Sequence, residues 1–175
     1  MSKLKYYVNQ NILKKVYYSL FHSKLQYCIS SWGGCSETNK NSIFVLQKRA
    51  IRFLCSKSYQ EPTQPLFIET RILKLADVYR LNICNIVKKM MEGKLHGNLE
   101  LTYVYQKHNH NTRLRHNNFY TTSCNTNLGK SGFSYIGPKL WREVPDKYKS
   151  LSSDLFNRTY KKLLVNLYLE EGREL

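Results

Sequence analysis

Apolar side chains recur at helical spacing along most of this chain and lose their period in one central stretch. From Asn9 to about Ser31, Ile12, Val16, Leu20 and Tyr27 share one face, and Leu13, Tyr17, Phe21 and Leu25 widen it to most of the circumference. The pattern predicts a helix buried on most sides, with a polar stripe of Lys15, Ser19, His22 and Gln26. It ends at Trp32-Gly33-Gly34, where glycine can take the left-handed cap. A second helix is predicted from about Asn39 to Cys55, with Ile43, Leu46, Ala50, Phe53 and Leu54 inward and Lys48, Arg49 and Arg52 on the opposite side. Pro62 and Pro65 then punctuate the chain before Leu66 and Phe67, which are expected to tuck into the core as a linker anchor. A third helix follows from about Leu75 to Met91, its apolar face made by Leu75, Tyr79, Ile83, Ile86, Val87 and Met90 and its end set by Gly93.

Between about Gly93 and Ser131 the residues are rich in Asn, His, Thr and Ser, which leaves few to form a core. Two short strands, Phe119 to Thr122 and Ser131 to Tyr135, are expected around Asn125-Thr126-Asn127-Leu128-Gly129 turn chemistry. Gly137-Pro138 should open a short turn of helix carrying Leu140 and Trp141, with Trp141 as a core anchor and Val144-Pro145 as the stop. Ser152 or Ser153 can cap a last helix with Phe156, Tyr160, Leu163 and Leu167 in one stripe and Leu164 beside it. The expectation is a mainly α fold: a three-helix bundle, then a small α+β module with a short hairpin and a C-terminal helix. In segments, residues 1–60 hold the first two helices, 61–95 the linker and third helix, and 96–175 the second module.

Charge adds a partner to this picture. The net charge is +16 over 175 residues, and it is uneven: residues 1–60 carry 10 basic side chains and 1 acidic, and residues 101–150 carry 8 and 2. Such an excess repels itself in a folded chain unless a polyanion or counterions offset it, which points to a phosphate-rich partner. The 14 tyrosines fit the same partner, because aromatic faces stack on bases while Lys and Arg hold phosphates. Lys48, Arg49 and Arg52 are the first candidate contacts. Arg113 and Arg115 are the second, either as phosphate ligands or, for Arg113, as a clamp on buried carbonyls of its own loop. Five cysteines without short paired spacing read as reduced, mostly buried thiols. No signal peptide or membrane span is readable, so an intracellular chain without a membrane partner is expected.

Catalytic chemistry finds little support. Two-metal nucleotidyl transfer needs carboxylates close enough to hold both ions, and the aspartates are Asp77, Asp146 and Asp154, none adjacent. His108, His110, His116 and Cys124 supply zinc-type donors, yet their spacing differs from the usual paired-ligand pattern. No catalytic residue, metal or cofactor is assigned.

Five runs occur in a telling order: Tyr17-Tyr18-Ser19-Leu20 through Tyr27 to Trp32-Gly33, then Leu46-Gln47-Lys48-Arg49-Ala50-Ile51-Arg52, then Pro65-Leu66-Phe67, then His108-Asn109-His110-Asn111-Thr112-Arg113, and last Ser134-Tyr135-Ile136-Gly137-Pro138-Lys139-Leu140-Trp141-Arg142-Glu143-Val144-Pro145. In this order they resemble the thumb and post-thumb tail of a reverse transcriptase, an RNA-directed DNA polymerase, from a jockey-like non-LTR retrotransposon. The resemblance covers about residues 10 to 165. It implies that the three-helix bundle is thumb-like and grips RNA or DNA, in the parent enzyme a template–primer duplex, through backbone and minor groove. It also implies a fragment of a mobile element without fingers and palm, able to bind nucleic acid without synthesising DNA, with the missing palm domain as a further partner. The alternative is a host protein that reuses the scaffold as a nucleic-acid-binding or protein-interaction adaptor.

Overall fold

A computed structural model describes residues 7–95, 101–107 and 118–171, and among these the protein is mainly helical. They divide into two units: the first includes the chain up to Tyr79 and again from Lys162, the second runs from Arg80 to Lys161. The divisions fall inside two long helices. Among the described residues no helix is long and apolar enough to cross a membrane.

The predicted first helix is broken into pieces. Asn9 caps α1 (Gln10–Val16) by accepting a hydrogen bond from the Ile12 amide at 3.0 Å, and the chain then widens into a π-helical segment, Tyr17–His22, before α2 (Ser23–Gln26). Tyr27 is extended, Cys28 is left-handed at φ 49°, and α3 (Ile29–Trp32) restarts beyond them. The left-handed residue is therefore Cys28, and Gly33 is right-handed at φ −65°. Gly33 serves close approach instead: a Cβ there would lie 2.3 Å from the Tyr79 ring. The buried residues are Leu13, Tyr17, Leu25 and Ile29, while Ile12, Leu20 and Tyr27 face out. Four-residue steps drift around a regular α-helix, and the π segment, which turns less per residue, holds that drift back. The stripe at Leu13, Tyr17, Phe21 and Leu25 thus stays in line and wins the core.

Ser36 caps α4 (Glu37–Leu54), and Pro65 sits in the first turn of α5 (Gln64–Thr70). Leu66 and Phe67 are buried as expected, but on a helix. The first unit's core gathers Leu13, Tyr17, Ile51, Leu54, Leu66, Phe67 and Ile72. At its centre Gln47 is fully buried: its Nε2 donates to the Leu73 carbonyl at 2.9 Å and to the Tyr17 hydroxyl at 3.3 Å, and its Oε1 accepts from the Leu75 amide at 2.8 Å. These bonds turn α4 so that Gln47, Ile51 and Leu54 face inward. Leu46, expected inside, is 52 % exposed. Burial pushes the Tyr17 phenol up to about 12.

α6 (Leu75–Met91) keeps the predicted bounds, and α11 (Ser153–Glu171) starts at the expected serine. The hairpin is absent. Tyr103, beside α7 (Val104–Lys107), forms an isolated antiparallel bridge with Phe119; α8 (Asn127–Ser131) occupies the expected turn, and α9 (Phe133–Arg142) takes the second expected strand. Thr126 explains the replacement, since its hydroxyl accepts from the Gly129 amide at 3.1 Å and so caps a helix where turn residues suggested a bend. Pro138 lies within α9 rather than at its first position. After α10 (Asp146–Lys149), α11 places Phe156 and Tyr160 in the second unit's core with Ile83, Cys84, Val87 and Trp141. Phe156 stacks on Tyr160 at 5.2 Å between ring centroids and lies 5.6 Å from Trp141. The cysteines carry no disulfide, and of the five Cys84 alone is buried, with Cys28 exposed, so the thiols are less hidden than expected.

Candidate nucleic-acid interface

Position on α4 decides what each basic side chain can do. Lys48 flanks the buried Gln47 and Ile51, so it is half-buried, and its ammonium lies 4.5 Å from the Phe44 ring centroid. Phe44 in turn stacks on Phe67 at 6.0 Å. Arg49, on the far side of the helix from the core, is exposed; Arg52 is half-buried. The three remain on one broad face, as the helical spacing predicts.

The chain beyond α4 folds back over this face. Cys55 ends the helix, and Ser56 turns left-handed at φ 55°. The Lys57 amide donates to the Arg52 carbonyl at 2.9 Å and the Ser56 amide to the Phe53 carbonyl at 3.1 Å, the paired bonds of a Schellman cap. That reversal brings Tyr59 and Glu61 to α4. Arg52 Nε donates to the Glu61 carbonyl at 2.8 Å, Arg49 Nη2 donates to the Tyr59 hydroxyl at 3.4 Å, and both guanidinium carbons lie 5.6 Å from the Tyr59 ring centroid. Cations gathered around a ring face are held by its quadrupole and need no carboxylate to stay there.

Two residues of this surface escaped the sequence reading. Tyr59 is the lone aromatic in a polar turn, a signal that becomes visible once the helix end is placed. Glu61 brings an acid to this surface: its carboxylate sits 3.9 Å from Lys57 Nζ, so it offsets part of the charge at one edge. Arg113 and Arg115 lie outside the described residues, as do His108, His110 and His116. Cys124 is half-buried. Among the described residues no group of three or more His, Cys, Asp or Glu side chains could hold a metal ion.

No protein-family model, curated protein or solved structure matches the chain.

Proposed function

We propose that this chain is a nucleic-acid-binding region of the thumb and post-thumb type found in jockey-like non-LTR retrotransposon reverse transcriptases, and that it holds RNA or DNA without carrying polymerase chemistry of its own. The observation that carries the reading is the α4 surface: Lys48, Arg49 and Arg52 are set against aromatic rings and a backbone carbonyl, so their positive charge is positioned but not neutralised. A face built in this way attracts phosphates of any sequence. The order of the five sequence runs and the helical architecture support the family part of the proposal. Among the described aspartates, Asp77 hydrogen-bonds the Tyr168 hydroxyl and Asp146 pairs with Lys149, structural employment that supports a non-catalytic reading.

The test is a salt titration of binding to duplex DNA by the parent and by the Lys48→Glu/Arg49→Glu variant. Arg52 is left alone, because its bond to the Glu61 carbonyl shapes the turn. Each phosphate contact contributes about 0.9 to the slope of log affinity against log salt, so the variant should lose roughly two from the slope and weaken alike on all sequences. Binding equal to the parent's across the titration would refute the interface.

A further inference from the structure

Tyr59 is 68 % exposed although two arginines attend its ring. Arg49 and Arg52 are three residues apart on α4, and each guanidinium carbon lies 5.6 Å from the ring centroid. An exposure of 68 % leaves most of this side chain open to solvent. We propose that Tyr59 is a stacking platform for an unpaired nucleobase, with Arg49 and Arg52 engaging the phosphates on either side, so that the α4 surface takes single-stranded RNA or DNA.

The proposal rests on the reading of α4 as a nucleic-acid interface and specifies the strand state it accepts. The parts fit that task. The ring is tethered through its hydroxyl to Arg49 and lies beside Arg52, whose Nε is fixed by the Glu61 carbonyl. The platform is therefore held in place before a base arrives, and little freedom is lost on stacking. A guanidinium carries five N–H donors, so Arg52 keeps donors for a phosphate after its Nε is engaged. In a duplex the base faces are already covered by their neighbours, and exposing one costs a few kcal/mol. An unpaired strand offers its faces at no such cost. Stacking on an aromatic side chain also tolerates any base.

The experiment compares three probes of matched phosphate number: an oligothymidylate, an abasic oligonucleotide and a duplex. The full-length parent chain should bind all three in a salt-dependent way and the oligothymidylate more tightly than the abasic strand. Tyr59→Ala should weaken oligothymidylate binding roughly tenfold and the abasic strand and the duplex far less, and Tyr59→Phe, which keeps the ring but loses the hydroxyl tether to Arg49, should stay much closer to the parent than Tyr59→Ala does on the oligothymidylate. Salt-dependent binding of all three probes with no effect of Tyr59→Ala would overturn the stacking role alone. Failure of the parent to bind any probe in a salt-dependent way would overturn the interface beneath it.

Discussion

The two units treat their basic residues differently. In the second, several cations meet carboxylates: Arg80 bonds Glu143 at 2.7 Å, Lys94 bonds Glu92 at 2.7 Å, and Lys149 bonds Asp146 at 3.0 Å. In the first, Lys40 pairs with Glu37 and Lys57 lies near Glu61, but other cations meet rings and carbonyls instead. Lys48 lies over Phe44, Arg49 and Arg52 attend Tyr59, Lys74 lies 4.3 Å from the Tyr168 ring centroid, and Lys14 Nζ donates to the Thr70 carbonyl at 2.7 Å. A carboxylate partner cancels a cation's field, whereas a ring or carbonyl fixes its position and leaves the charge for a ligand. Arg80, Lys94 and Lys149 therefore spend their charge on internal ties, while the first-unit cations set against rings and carbonyls keep theirs for a ligand.

Their cores differ as well, and the largest expected effect tests this. The second unit is held by aromatic packing around the fully buried Trp141. Trp141→Ala should cost about 3–5 kcal/mol in urea unfolding. Trp141→Phe should cost much less, because the indole N–H has no hydrogen-bond partner to lose. The first unit centres on a polar residue. Gln47→Leu keeps the bulk but strands the Leu75 amide and the Leu73 carbonyl, at about 1–3 kcal/mol for each group left unpaired. A small cost for Gln47→Leu alongside a large one for Trp141→Ala would show that the first unit's core, too, is governed by packing.

The same contrast explains what the sequence made legible. α6 was readable to the residue because its apolar face has one period and Gly93 ends it. The first helix was not, because two overlapping apolar stripes compete there, and the choice between them depends on a π segment that leaves no compositional mark. α4 was readable as a helix but not in its rotation: a buried glutamine breaks the rule that polar residues face out, and its partners come from Leu73 and Leu75. The expected hairpin failed because Thr, Asn and Gly serve a helix cap as well as a turn. On α4, the shared face of Lys48, Arg49 and Arg52 followed from spacing alone. Tyr59 and Glu61 join them through a left-handed serine, a conformation that the identity of the residue does not announce.

A smaller effect distinguishes the units by pH. Glu92 is held well below the usual carboxylate range, at about 2, chiefly by its hydrogen bond from Lys94 and secondarily by Ser153. A carboxylate depressed in the folded state stabilises the fold above its ordinary value of 4.5, and that stabilisation is lost as pH falls from there towards about 2. Urea midpoints measured across this range should fall for the parent and stay flatter for Glu92→Gln. Equal slopes for the two proteins would mean that the Glu92–Lys94 tie contributes nothing to stability in solution.

The smallest effect lies in how the helices end. α4, α5 and α6 all close with Schellman-type bond pairs around a left-handed residue, yet the residues differ: Ser56 at φ 55° and Arg71 at φ 54° in the first unit, Gly93 at φ 67° in the second. A left-handed backbone costs a residue with a Cβ roughly 1–2 kcal/mol, and the extra unfolded-state freedom of glycine returns part of that difference. Ser56→Gly should therefore stabilise the first unit by about 0.5–1 kcal/mol, and Gly93→Ala should destabilise the second by a similar amount. The second change isolates the backbone, because a Cβ at Gly93 would meet nothing within 4 Å. Since Ser56→Gly preserves the reversal that carries Tyr59 back to α4, affinity for nucleic acid should not change while the urea midpoint rises. A rise in stability accompanied by weaker binding would mean that the serine, and not just the turn it allows, belongs to the interface.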